Sequence, residues 1–326
     1  MSTQVFAWSK TRSGDDAVVR EFASDVRNGL AKPQKELHSK YLYDELGSVL
    51  FEAITHLPEY GLTRADERLL QRHARDIASL LPSPVAVIEL GSGVGQKTRH
   101  LLRAIGGSGL RYYPIDVSAD ALARCERDLS DVAQVYPLVQ SYLDGMARAT
   151  AERRPGESFL LMFLGSTIGN FERKCALEFL GDLRRSMLPG DMLLIGADLV
   201  KECDRMLVAY DDPTGVTGAF NLNLLGRINR ELGADFQLRD FEHQARWNEQ
   251  HRRIEMHLRS RLNQTAFISE ADLTVTFRAG ETIWTESSHK FQLPELDRMA
   301  EQAGFSVVGQ WMDRDWPFAE NLWTVH

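Results

Sequence analysis

The chain has 326 residues, of which 43% are hydrophobic and 26% charged, with 24 glycines and 11 prolines. These ordinary globular proportions exclude a disordered, collagenous or coiled-coil chain, and the length excludes a small stapled scaffold. A formal charge of −8, from 38 basic and 46 acidic residues, removes the electrostatic footprint of a nucleic-acid binder.

Residues 1–16 (MSTQVFAWSKTRSGDD) are polar, without a basic stretch leading into an apolar one. No apolar run approaches the roughly 20 residues that span a bilayer, so a cytoplasmic protein with no membrane partner is expected. Apolar spacing predicts helices over 15–30, through Val18, Val19, Phe22 and Val26, and over 40–55, through Leu46, Val49, Leu50 and Ile54. After a break at 56–61, Thr63 and Asp66 resemble a capping-box start. The helix that follows carries Leu69, Leu70, Ile77 and Leu80 and stops at Pro82 and Pro84. The period then changes. The run 85–90 (VAVIEL) suits a parallel strand buried on both faces. A glycine cluster at 91–95, a helix through Leu101, Leu102 and Ile105, a second strand over 110–116 and a helix over 118–129 follow it. Further strands are predicted near 133–139, at 159–164 and at 191–196, with a helix at 172–187. Such alternation predicts a Rossmann-like, doubly wound α/β sheet.

Beyond Asp198 the alternation lapses. Residues 201–289 contain a helical stretch at 221–233, a strand at 253–258 and a hairpin-like segment at 273–284 turning at Gly280, which together read as an inserted α+β unit. A helix over 293–303, stopped by Gly304, and strands at 305–311 and 321–325 return the chain to the sheet. The expected domains are therefore 64–200 with 290–326, and 1–63 with 201–289. Cys125, Cys175 and Cys203 stand singly, without metal-ligand spacing, and read as reduced packing residues; no metal is expected.

In the string Glu89-Leu90-Gly91-Ser92-Gly93-Val94-Gly95 the missing side chains let a ligand approach the backbone where a strand meets a helix. Gln96 takes the place of the last glycine of a dinucleotide fingerprint, which counts against NAD. Glu89 suits the α-amino group of a cationic adenosyl ligand, and Asp116, at the end of the second strand, suits a ribose diol. With the helix stop at 187–191 (MLPGD) and the late strand pair, the chain resembles the class I S-adenosylmethionine-dependent methyltransferases over 85–200 and 290–326.

Four strings lie outside this frame or at its edge: 41–48 (YLYDELGS) with Phe51; 57–60 (LPEY); 163–171 (FLGSTIGNF); and 284–291 (WTESSHKF). Through them nearly the whole chain resembles the histidine Nα-methyltransferases of ergothioneine biosynthesis. The resemblance implies three methyl transfers to the α-amino group of free L-histidine, giving hercynine and S-adenosylhomocysteine. It places Tyr43 and Asn170 at the reacting amine, and Phe51, Tyr60, Gly165, Tyr210, Met256, Glu286 and Ser288 around the amino acid. Around S-adenosylmethionine it places Gly91, Lys97 and Asp116, to which the loop reading adds Glu89 and Gly93. Where the family has an acid followed by an aromatic near the adenine, this chain has Ser141-Tyr142, with Asp144 three positions on.

The residue types make chemical sense by themselves. Asn170 follows the fourth strand, at the edge where open α/β sheets bind ligands, and its amide both donates and accepts. Glu286 and Ser288, two apart on a strand, share a face, and a carboxylate beside a hydroxyl can receive both imidazole nitrogens. Without the resemblance, a loop-capping Asn and an exposed polar strand face would explain them. The competing readings are an N-methyltransferase of another amino acid, such as a tryptophan derivative, and a non-catalytic sensor of the adenosyl ligand. The expected enzyme is a monomer with a small-molecule partner only.

Overall fold

The lapse of strand–helix alternation after Asp198 marks a second kind of architecture, and the computed structural model, which describes residues 15–107 and 109–325, divides into two compact units. One comprises 62–200 and 290–325, the other 15–61 and 201–289. Most of the N-terminal stretch read as lacking a targeting signal, residues 1–14, lies outside the described residues.

Helix α1 (Asp15–Leu30), strand β1 (Lys35–Glu36), α2 (Glu45–Thr55) and α3 (Gly61–Leu80) come first. Then follow β2 (Val85–Leu90), α4 (Thr98–Ile105), β3 (Arg111–Asp116), α5 (Ala119–Leu129), β4 (Gln134–Val135), β5 (Leu138–Val139), α6 (Tyr142–Ala151), β6 (Ser158–Phe163), α7 (Arg173–Arg185) and β7 (Met192–Asp198). Next come α8 (Cys203–Tyr210), α9 (Val216–Leu232), β8 (Phe241–Asn248), β9 (Arg253–Ser260), β10 (Gln264–Ile268), β11 (Leu273–Phe277) and β12 (Thr282–His289). The chain closes with α10 (Leu293–Ala303), β13 (Ser306–Asp313) and β14 (Phe318–Thr324).

In the α/β unit the strand order is β13-β14-β7-β6-β2-β3-β4, with β5 also beside β3. Strands β2 to β7 run parallel, while β14 is antiparallel to β7 and β13 to β14. The alternation within β2 explains its near-continuous apolar run. Ala86, Ile88 and Leu90 enter one core with Leu161, Leu193 and Phe163, whereas Val87 enters a second with Leu101, Leu160 and Met162. Each of the larger side chains contributes roughly 1.5–3 kcal/mol on burial, so both faces must be covered by helices. The chain order reverses between β2 and β6, and in open α/β sheets the crevice outside the carboxyl ends of the strands at such a point is where ligands bind.

One buried acid fixes the entry to β7. Asp191 accepts from the Arg153 guanidinium at 2.8 and 2.5 Å and from the backbone N–H groups of Phe159 and Leu188 at 2.7 and 2.8 Å. Asp191→Ala removes the buried partner and leaves two backbone donors and the half-buried Arg153 guanidinium unanswered, and we expect a loss of about 3 kcal/mol. Urea denaturation would measure it, and a loss below about 1 kcal/mol would show that water replaces the carboxylate.

In the other unit, β1-β12-β9-β8 form a mixed sheet and β10 pairs with β11. Helix α9 lies on β8 and β9, burying Phe220, Leu224, Leu225 and Ile228.

Several expectations need correction. The 273–284 segment is not a hairpin: β11 pairs with β10 and β12 with β9, so the turn at Gly280 (φ 87°) carries the chain from one sheet to another. Helix α3 begins at Gly61, ahead of Thr63, and Asp66 forms no capping box because its carboxylate is engaged elsewhere. The strand expected at 133–139 is split at Pro137, which lacks the N–H that a ladder needs. Cys203 is exposed, so the packing reading fails there; Cys125 is fully buried.

Candidate functional site

In the α/β unit the glycine loop leaves β2 with Gly91, Gly93 and Gly95 at φ 69°, 53° and 69°. Gly93 is the open one: a Cβ there would have no atom within 4 Å. Asp116, at the end of β3, braces this loop, accepting from Gly93 N–H at 3.0 Å through Oδ2 and from Ser118 N–H at 2.9 Å through Oδ1. Burial raises its pKa, against the pull of those backbone donors. Glu89 is buried; its carboxylate accepts from Thr98 Oγ1 at 2.8 Å and from the Tyr112 hydroxyl. Desolvation pushes Glu89 up to about 7 despite these donors.

Tyr142 packs its ring against Phe163 and Phe179, at 5.6 and 6.1 Å between centroids, and its hydroxyl stands 3.0 Å from where a Gly91 Cβ would be. Ser141 is the N-cap of α6. It accepts from Asp144 N–H at 3.3 Å and donates to the Asp144 carboxylate at 2.6 Å. The displaced acid is thus tied to the cap.

From the end of β6, Gly165 (φ 72°) and Ser166 (φ 57°) turn the chain into the short 3-10 segment Thr167–Asn170. Gly165 donates its N–H to Asp66 Oδ2 at 2.9 Å, and the same oxygen holds the Lys97 ammonium. The structure therefore gathers Glu89, Gly91, Gly93, Asp116, Ser141 and Tyr142 around the loop, and joins Lys97 to Gly165 through Asp66, which the sequence suggests only as a helix-start residue.

In the mixed-sheet unit an aromatic chain is continuous. Tyr43 meets Phe51 and Phe220 at 5.4 and 5.5 Å; Phe51 meets Tyr60 at 6.5 Å; Tyr60 meets Tyr210 at 5.8 Å. The Tyr210 hydroxyl then bonds Ser288 Oγ at 2.7 Å. Glu286 and Ser288 are only 9% and 6% exposed, so the exposed-face alternative fails. A bulge between Trp284 and Glu286 sets Glu286 opposite the buried Met256, and the Trp284 indole donates to Glu286 O at 2.9 Å. His243 supports this group. A carbonyl only accepts, so His243 Nε2 carries the proton given to Tyr210 O at 2.7 Å, and Nδ1 accepts from Asn221 Nδ2 at 2.9 Å. Burial lowers the His243 pKa and keeps the ring neutral, as this arrangement requires.

Against known proteins, the model of a family described as histidine-specific, S-adenosylmethionine-dependent methyltransferase matches residues 22–325. The chain belongs to that family. It is 41% identical over 315 residues to a histidine N-alpha-methyltransferase of Mycobacterium tuberculosis, covering 95% of this chain and 96% of the relative. It is 40% identical over 314 residues to the protein of that name from Mycolicibacterium smegmatis, covering 94% and 96%. An L-tryptophan methyltransferase of Psilocybe serbica is 29% identical over 317 residues, covering 88% of each. The histidine enzymes thus stand well above the tryptophan enzyme.

This methyltransferase has the class I, Rossmann-like fold and uses S-adenosylmethionine. The residues present fit that molecule: the Gly93 position leaves space at the end of β2 that a side chain would fill, with the Asp116 carboxylate at its rim. Sequence reasoning missed Phe220, His243 and Asp66. Phe220 falls just ahead of the predicted helix at 221–233, the lone His243 is indistinguishable from a surface polar residue until the fold is known, and Asp66 signals only a helix start.

Proposed function

We propose that this methyltransferase acts on the α-amino group of free L-histidine, methylating it three times to give hercynine. The observation that carries the reading is the buried acid–hydroxyl pair on β12, Glu286 and Ser288, with Ser288 bonded to Tyr210. A buried carboxylate needs a donor, and a hydroxyl can donate or accept; together they answer an imidazole, which presents two nitrogens, better than an indole, which presents a single N–H. Met256 and Tyr60 line the ring's side of this arrangement, and Tyr210 and Gly165 are assigned to the amino acid's polar end. The 64–200 and 290–326 domain is assigned to S-adenosylmethionine, through Glu89, Gly91, Gly93, Lys97, Asp116, Ser141 and Tyr142, and the 1–63 and 201–289 domain to the substrate.

S-adenosylmethionine supplies an already activated methyl group, so the protein's task is mainly to hold a neutral amine in line with it, a positional effect of about 7–11 kcal/mol. Asn170 is assigned the orientation of the amine through its amide, and Tyr43 the handling of the proton that the ammonium must lose. Tyr43 and Phe51 present aromatic faces, which favour the growing quaternary ammonium by about 0.5–2 kcal/mol. The separate, unbridged cysteines fit a reducing cytoplasm. We expect a monomer without nucleic-acid or membrane partners; among the described residues no helix is long and apolar enough to cross a membrane.

The test is mass spectrometry of each of the twenty amino acids incubated with enzyme and S-adenosylmethionine. Histidine should gain three methyl groups. A methylated tryptophan, with histidine unchanged, would overturn the assignment.

A further inference from the structure

A second acid lies buried beside the Lys97–Asp66 contact. Asp66, on α3, and Glu320, on β14, are both fully buried. Asp66 Oδ2 is engaged by the Lys97 ammonium and the Gly165 N–H. Its other oxygen and both oxygens of Glu320 receive no donor among the described residues, and the two acids flank one point: a Cβ on Gly196 would stand 2.8 Å from Glu320 Oε1 and 3.3 Å from Gly165 N, whose N–H bonds Asp66 at 2.9 Å. Ionised carboxylates only accept, so a bond between them requires a proton.

The surroundings argue the same way. The charged groups facing Glu320 are Asp66 from α3, Lys97 from the glycine loop and Glu89 from β2, which sets one ammonium against three acids. Two carboxylates sharing a dry site cannot both ionise. Burial, and then the charge of Asp66, hold the Glu320 carboxyl well above the usual carboxylate range. For Lys97, burial works against the charge, but the adjacent Asp66 outweighs it and the pKa moves up, so the ammonium persists. The sheet also makes room for this side chain. Gly196 on β7 is the register partner of Glu320, and it carries no side chain to fill that point.

We propose that Asp66 and Glu320 share one proton and form a single positioning unit, Glu320 donating to the free oxygen of Asp66 so that the other oxygen stays fixed on Lys97 and the Gly165 N–H. The unit ties the glycine loop after β2 to the turn after β6, the two edges of the crevice. Neither acid touches substrate. The proposal rests on the reading in which Lys97 contacts S-adenosylmethionine and Gly165 the amino acid.

The test uses the full-length enzyme and the variants Glu320→Gln, Glu320→Ala, Asp66→Asn and Lys97→Ala. Infrared difference spectroscopy, native minus Glu320→Gln, should show one protonated-carboxyl stretch that depends on Glu320, distinct from the band that Glu89, pushed up to about 7, contributes to both proteins. By calorimetric titration, Glu320→Ala and Asp66→Asn should weaken S-adenosylmethionine binding by about tenfold or more, with Glu320→Gln, whose amide can still donate, restoring it to within about threefold. Native affinity should fall as rising pH removes the shared proton, and Glu320→Gln should lack that limb. Absence of the infrared band, or a Glu320→Gln variant as impaired as Glu320→Ala, would overturn the shared proton. Unchanged cofactor affinity in Lys97→Ala would instead overturn the reading of Lys97 and with it the positioning role, while the band still reports on the pair.

Discussion

Glu286→Ala is expected to raise the KM for histidine by about 100- to 1,000-fold, roughly 3–4 kcal/mol, while leaving S-adenosylmethionine affinity within about twofold. Glu286 sits on β12 opposite Met256, 9% exposed, where a carboxylate's bond to a ring N–H is shielded from water and charge-assisted. Removal strands a polar nitrogen of the substrate and admits water. The loss should fall on binding, because the imidazole keeps its charge and position as the amine reacts; kcat at saturating histidine should drop far less than kcat/KM. Glu286→Gln separates charge from geometry, since it retains an acceptor oxygen and should recover part of the loss. An alanine variant with unchanged KM would remove Glu286 from the substrate's surroundings, and with it the preference for imidazole over indole.

How much of this was legible in the chain depended on whether the signal was local. The run 85–90 was read as a strand with its residues correct because burial on both faces leaves only apolar side chains, apart from Glu89, and the glycines that follow cannot continue it. Helix α6 escaped notice for the opposite reason. Its face is built from small residues, and Gly145 sits where a Cβ would collide with Ile115 at 2.5 Å, so close packing replaces a hydrophobic stripe. The failed hairpin at 273–284 shows a further limit: alternation and a glycine turn specify strands and a reversal, but which strand each pairs with is decided by the registers Leu273↔Ile268 and Ser288↔Ile254. In the candidate site, the aromatic residues 43, 51, 60 and 210 stand in scattered strings, and the residues that buttress them, Phe220 from α9 beside Tyr43 and Phe51 and His243 on the Tyr210 carbonyl, carry no local signal. Asp66 was visible only as a helix-capping residue, because its partners Lys97, Gly165 and Glu320 lie 31, 99 and 254 positions away along the chain.

Asp116→Ala should act on the other ligand, weakening S-adenosylmethionine by about 30- to 300-fold and leaving the histidine KM, measured at saturating cofactor, within about threefold. Two effects add. The carboxylate at the end of β3 accepts from Gly93 N–H and Ser118 N–H, so truncation frees a loop whose Gly93 needs a left-handed backbone, and it also takes away the acceptor assigned to the ribose diol. Asp116→Asn tells them apart: one amide oxygen can still brace Gly93, but the side chain no longer offers two anionic acceptors. If bracing dominates, the asparagine variant binds nearly as the native enzyme does; if the diol contact dominates, it resembles the alanine variant. Isothermal titration decides between them, and native affinity in Asp116→Ala would refute both roles at once, leaving the cofactor to the glycine-loop backbone and the other assigned side chains, Glu89, Lys97, Ser141 and Tyr142.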